Sequence, residues 1–148
     1  MDMTGFGPIR LDPVRDRVLL AGNLVPVLTL GPGVRLDGER IVADQGYKGH
    51  IAFGPYWPMQ SGDYIATFQL KAAGRWAQRN TPVLALEVVE GETFFAQRDV
   101  LGRQAENGVF DVPFHIEAPP KGRPVEFRIW SFGFVAAELS RLTVRRAG

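Results

Sequence analysis

Tyr64-Ile65-Ala66-Thr67-Phe68-Gln69-Leu70-Lys71, opened by the turn Ser61-Gly62-Asp63, is the stretch on which the fold turns. Tyr64, Ala66, Phe68 and Leu70 alternate with Ile65, Thr67, Gln69 and Lys71, and a period of two puts each set on its own face of a strand. Downstream, Val83 to Val89 is almost continuously apolar, which suits a strand covered on both faces. Phe94 to Val100 is expected to return beside it. Phe110, Val112, Phe114 and Ile116 then point one way while Asp111, His115 and Glu117 point the other. After the turn Pro119-Pro120-Lys121-Gly122, Val125, Phe127 and Ile129 alternate with Glu126, Arg128 and Trp130, and Phe132 to Val144 supplies one or two closing strands.

Upstream, His50-Ile51-Ala52-Phe53 reads as a short strand ended by Gly54-Pro55. Val34-Arg35-Leu36 and Arg40-Ile41-Val42 flank the hairpin signal Asp37-Gly38, where positive φ is tolerated. Residues 1–33 are rich in Pro and Gly and read as an irregular N-terminal arm with one or two edge strands, since Pro removes ladder donors. Val14 to Leu20 is the best helical stretch, with weak caps. Short strands at regular spacing make the fold all-β: an antiparallel, jelly-roll-like β-sandwich over residues 34–148 behind the arm.

The composition agrees with one globular domain: 148 residues, 45% hydrophobic and 22% charged. No apolar run approaches the roughly 20 residues of a membrane helix, so membrane insertion is not expected. The N-terminus shows no basic and apolar leader pattern. With 17 Lys and Arg against 16 Asp and Glu, both halves of the chain stay within one charge of balance. Nucleic acid is therefore not an expected partner, because phosphate neutralisation needs a basic face. The absence of Cys removes disulfides, thiolate metal sites and thiol nucleophiles.

Local signatures of catalysis are missing. There is no G-x-S-x-G elbow, no phosphate loop, and Gly5-Phe6-Gly7 is followed by Pro8 rather than by a dinucleotide fingerprint. His50 and His115 lack metal-ligand spacing. Carboxylate pairs for glycoside hydrolysis are a matter of three-dimensional separation. On these grounds the chain is expected not to be an enzyme, with no catalytic residue and no metal.

Aromatic residues carry the functional signal. Tyr56 and Trp57 lie between Pro55 and Pro58, which restrict the backbone around them. Rings held rigidly offer a stacking surface to the C–H face of a sugar at little entropic cost. Either ring alone is as readily a cap on the core. Trp130 shares the polar side of its strand with Glu126 and Arg128, a position for a ligand platform, a subunit contact or a bulge that turns it inward. Trp76, flanked by Arg75, Gln78, Arg79 and Asn80, marks a second candidate loop. His115 reads as a surface residue.

The run from Gly54 through Gly62-Asp63-Tyr64 to Leu70, with the later Val125 to Ile129 and Leu139 to Val144, resembles the galactose-binding-like β-sandwich carbohydrate-binding modules. The resemblance covers about residues 34–146 and implies a lectin-like module that binds glycan through loops or one sheet face. Such modules often hold a structural calcium through an Asp of the last strand; here that strand offers Glu138, and no cofactor is expected. The expected function is non-catalytic glycan binding in adhesion to a cell-surface or capsular polysaccharide. Tyr56, Trp57, Trp76 and Trp130 would stack, and Asp63, Arg75, Asn80 and Arg128 would take hydroxyls or carboxylates. The alternative is a spike or assembly subunit of a phage-like particle, outside the cell, whose arm docks neighbouring chains in a homo-oligomer.

Overall fold

The computed structural model describes residues 22–73, 78–106, 108–117 and 123–147. Eleven strands lie among them: β1 (Thr29–Leu30), β2 (Arg35–Asp37), β3 (Arg40–Ala43), β4 (Lys48–Phe53), β5 (Pro55–Met59), β6 (Gly62–Ala73), β7 (Pro82–Glu90), β8 (Thr93–Leu101), β9 (Gly108–Ile116), β10 (Arg123–Phe132) and β11 (Ala136–Arg146). They form two antiparallel sheets. One runs β1-β4-β10-β7-β8, with β5 also on β10, and the other runs β2-β3-β11-β6-β9. From β6 onward the chain crosses repeatedly between the sheets, as the expected jelly-roll-like sandwich requires.

The alternation found in the sequence packs the core. Tyr64, Ala66, Phe68 and Leu70 of β6 and Phe110, Val112, Phe114 and Ile116 of β9 are buried, facing Val125, Phe127 and Ile129 of β10. Phe114 links the sheets: it stacks on Tyr64 at 5.4 Å and meets Phe127 edge-on at 5.9 Å. In β11 a bulge between Leu139 and Arg141 shifts the register, so that Leu139, Leu142 and Val144 all reach the core despite an odd spacing. The β2–β3 hairpin closes through Gly38 and Glu39, with Asp37 still paired to Arg40 and Gly38 at φ 67°.

Two expectations change. The last part of the arm expected over residues 1–33 belongs to the sandwich: Leu24 and Val25 are buried, the Leu24 amide donates to Leu142 O, and β1 pairs with β4. The Asn23 carboxamide fixes this entry, accepting from the amides of Val25 and Leu142. The helical stretch Val14 to Leu20 and the turn at 119–122 lie outside the described residues.

The second change bears on the site. Tyr56 and Trp57 sit on a strand rather than in a free loop. β4 and β5 lie one after the other along the same side of β10, and the Phe127 amide donates to Gly54 O at their junction. Strand β5 pairs with β10 alone, so Pro55 and Pro58 are accommodated at an edge where no second ladder needs their missing donors.

Candidate functional site

Strand alternation gives the six-stranded sheet an outer face. In β10, Val125, Phe127 and Ile129 turn inward, which sends Glu126, Arg128 and Trp130 outward. Residues directly opposite in an antiparallel pair share a face. Arg128 lies opposite Glu87 and Trp130 opposite Ala85, while Glu87 faces Gln97 on β8. On the other side, a bulge between Ile129 and Trp130 sets His50 opposite Trp130. On the other edge of β4, Gly31 packs close against the strand: its amide donates to Ile51 O, and any Cβ there would run into the His50 carbonyl.

The centre of this face is a charged cluster. Glu87 Oε1 accepts from Arg128 Nε at 3.0 Å and lies 3.4 Å from His50 Nε2. The His50 ring meets Trp130 edge-on at 4.9 Å, and Trp130 meets Phe132 at 6.5 Å. The Arg128 guanidinium lies over the Phe94 ring, 5.5 Å from its centroid. Glu87 is only 7% exposed, so it needs those partners; an isolated carboxylate there would be strongly disfavoured.

Tyr56 stands at one end. It is the extra residue where β5 slips between the Trp57–Val125 and Pro55–Glu126 pairs, and its φ is 65°. For a bulky residue that left-handed conformation costs about 1–2 kcal/mol, and bulges of this sort re-aim side chains. The result is a ring 51% exposed whose hydroxyl lies near the Glu126 carboxylate. Desolvation, with the nearby Glu126 carboxylate, holds the hydroxyl above its ordinary pKa, against a smaller opposing pull from Arg128. From Glu126 to Trp130 the β10 backbone runs about 13 Å at the rise of a strand.

Of the expected site residues, the structure brings together Tyr56, Arg128 and Trp130. Trp57 leaves the set. It is fully buried on the inner face opposite Val125, with Nε1 unpartnered among the described residues, and presents no surface for stacking. Asp63 lies on the other sheet, where its carboxylate meets exposed His115 Nδ1 at 2.7 Å. Among the described residues, Asn80 accepts from Arg103 Nη1 in the turn before β7 and is hydrogen-bonded to none of the aromatic residues of the face. Arg75 and Trp76 lie outside the described residues.

Residues that sequence reasoning did not select are His50, Glu87, Phe94 and Glu126. One signal was available: Glu87 is the charged residue inside the apolar run Val83 to Val89. A carboxylate in a strand covered on both sides must have a partner. Glu138, the residue weighed against the calcium pattern, is ion-paired with Arg40 at 2.9 Å. Among the described residues, no group of three or more His, Asp and Glu side chains is placed to hold a metal ion.

No protein-family model matches the sequence, and no curated protein matches it. Solved structures do match in shape. A cyclase from Fischerella sp. in its apo form has a TM-score of 0.50 at 17% identity, over 74% of this chain and 63% of that one. A Fischerella sp. cyclase in complex with 4-(1H-indol-3-yl)butan-2-one has a TM-score of 0.52 at 14% identity, over 82% and 74%. A "putative sugar binding protein" from Bacteroides thetaiotaomicron also reaches 0.52, at 12% identity, over 82% and 83%. What is shared is the fold. This chain spans less than two thirds of the first two cyclases, 63% and 64% of their lengths.

These neighbours overturn the expectation that the chain is not an enzyme. That expectation rested on missing local motifs, which exist only for chemistries with a local signature. A sandwich that frames cyclases carries catalysis without an elbow or phosphate loop, since side chains from separate strands can meet on one face.

Proposed function

We propose that the outer face of the six-stranded sheet binds a glycan, with Tyr56, Phe94 and Trp130 stacking on sugar rings and the Glu87, Glu126 and Arg128 groups meeting hydroxyls. The observation that carries this reading is Tyr56: a ring held half-exposed in a costly backbone conformation, near Glu126 and the Arg128–Phe94 pair. Strain of this kind persists where a side chain's placement matters more than local stability. The fold is also that of a protein described as sugar-binding, which is compatible with the reading without carrying it.

The test is a glycan-array and affinity-electrophoresis screen, with and without calcium. Specific binding is expected, weakened at least tenfold in Tyr56→Ala and in Trp130→Ala while both variants keep the wild-type unfolding transition. Undiminished binding in both variants would remove the face from consideration.

A second reading follows from the His50–Glu87 pair. A titratable imidazole between a buried carboxylate and an indole is suited to moving a proton on a ring-bearing substrate. It predicts turnover of a bound ligand, lost in His50→Gln with binding retained. Binding without turnover for every ligand found would exclude it.

A further inference from the structure

The charges around the aromatic rings narrow the ligand class, and the argument rests on the glycan reading just given. Among the described residues, Arg128 is the cation seen on one of these rings, and it is already engaged: its Nε donates to Glu87 and its guanidinium covers Phe94. The buried carboxylates among the described residues are Glu87 and Glu126, and both lie on the outward side of their strands on this face. Exposed Asp99, opposite Ala85, adds a third carboxylate at its margin. Lys48 lies opposite Phe132, beyond Trp130 and far from Tyr56.

A cation paired to a buried carboxylate offers little net charge to an incoming anion. Glu126, buried on the same face and close to the Tyr56 hydroxyl, puts a second carboxylate beside the most exposed ring. Carboxylates accept hydrogen bonds and donate none. Sugar hydroxyls supply the donors they require, whereas the carboxylate that a uronate carries in place of the C6 hydroxyl supplies only further acceptors and a like charge.

We infer that the face selects neutral glycans, built from unsubstituted hexoses or pentoses, over uronate-bearing ones, because the Glu87 and Glu126 carboxylates outnumber the one guanidinium among its aromatic rings.

The experiment compares mannan, galactan, xylan and β-glucan with polygalacturonate and alginate, using the full chain at low salt. A hexose polymer that binds is then oxidised at C6 to its carboxylate and measured again, and an acidic polymer that binds is carboxyl-reduced. The inference expects binding in the neutral set, or gained on reduction, with a loss of about tenfold on introducing the carboxylate. Added salt and Glu126→Gln should each narrow that gap severalfold. Equal or tighter binding of the acidic forms overturns the selectivity and leaves the glycan reading standing. Silence across both sets, from protein with a cooperative unfolding transition, overturns the glycan reading and the selectivity with it.

Discussion

The two sheets obey one alternation rule and yet present opposite kinds of outer face. On the five-stranded sheet, β6 and β9 send out short polar and charged groups that pair in the open. Thr67 donates to Asp111, and Asp63 meets His115, with side chains 69% and 56% exposed. On the six-stranded sheet the outward positions of β7 are themselves covered, and Glu87 and Arg128 are 10% and 18% exposed in their side chains. The same ion-pair chemistry therefore carries different consequences. A solvated pair is screened and nearly free to break, whereas a covered pair must stay matched. Among the described residues, the buried carboxylates Glu87 and Glu126 both lie on this face, where the binding site is proposed.

Adjacent residues on β5 give the sharpest way to break this comparison. Trp57→Ala removes the largest buried side chain and is expected to cost about 3–5 kcal/mol, enough to abolish a cooperative urea transition at room temperature. Because the Trp57 indole N–H has no partner, Trp57→Phe should cost much less than Trp57→Ala. A Trp57→Ala variant as stable as wild type would show that the ring is not in the core.

Next in size is the contrast between the two ion pairs. Glu87→Ala leaves Arg128 without its carboxylate in a largely covered site and should cost about 2–3 kcal/mol in chemical denaturation. Asp63→Ala on the opposite face should cost less than about 1 kcal/mol. Equal costs would erase the difference between the faces.

Smaller again is the balance at Tyr56. Tyr56→Gly relieves a left-handed conformation but loses ring contacts and frees the unfolded chain, so unfolding should change by no more than about 1 kcal/mol. Ligand binding should nevertheless fall to the level of Tyr56→Ala. Calorimetry and affinity electrophoresis on the same samples separate the two effects.

The smallest effect is a pH dependence. With its folded pKa raised, Tyr56 contributes stability that is fully present below the ordinary tyrosine value of about 10 and fades as the pH rises through the higher folded value. Spectrophotometric titration of wild type against Tyr56→Phe should show a phenol that ionises late. An early-ionising Tyr56 would mean that the hydroxyl is neither desolvated nor close to the Glu126 carboxylate.

Much of this was legible beforehand. Side-chain direction in a strand has a period of two, so Tyr64 to Leu70, Phe110 to Ile116 and Val125 to Ile129 declared their buried faces without help from the rest of the chain. The apolar run at 83–89 announced a strand covered twice, and the polar side of β10 already carried Arg128 and Trp130 outward. These are local properties, and local properties survive transfer from sequence to fold.

Which groups meet was decided by the tertiary structure. His50, Glu87 and Arg128 come from three strands, and a one-residue bulge beside Trp130 is what aligns them. Tyr56 and Trp57 are alike in sequence, two aromatics between two prolines, yet pairing with β10 buries one and exposes the other. Register is a long-range quantity, fixed by how whole sheets pack, and a shift of one residue turns a side chain to the opposite face. That is why the chain by itself determined the sandwich, while only the folded molecule decided where its chemistry gathers.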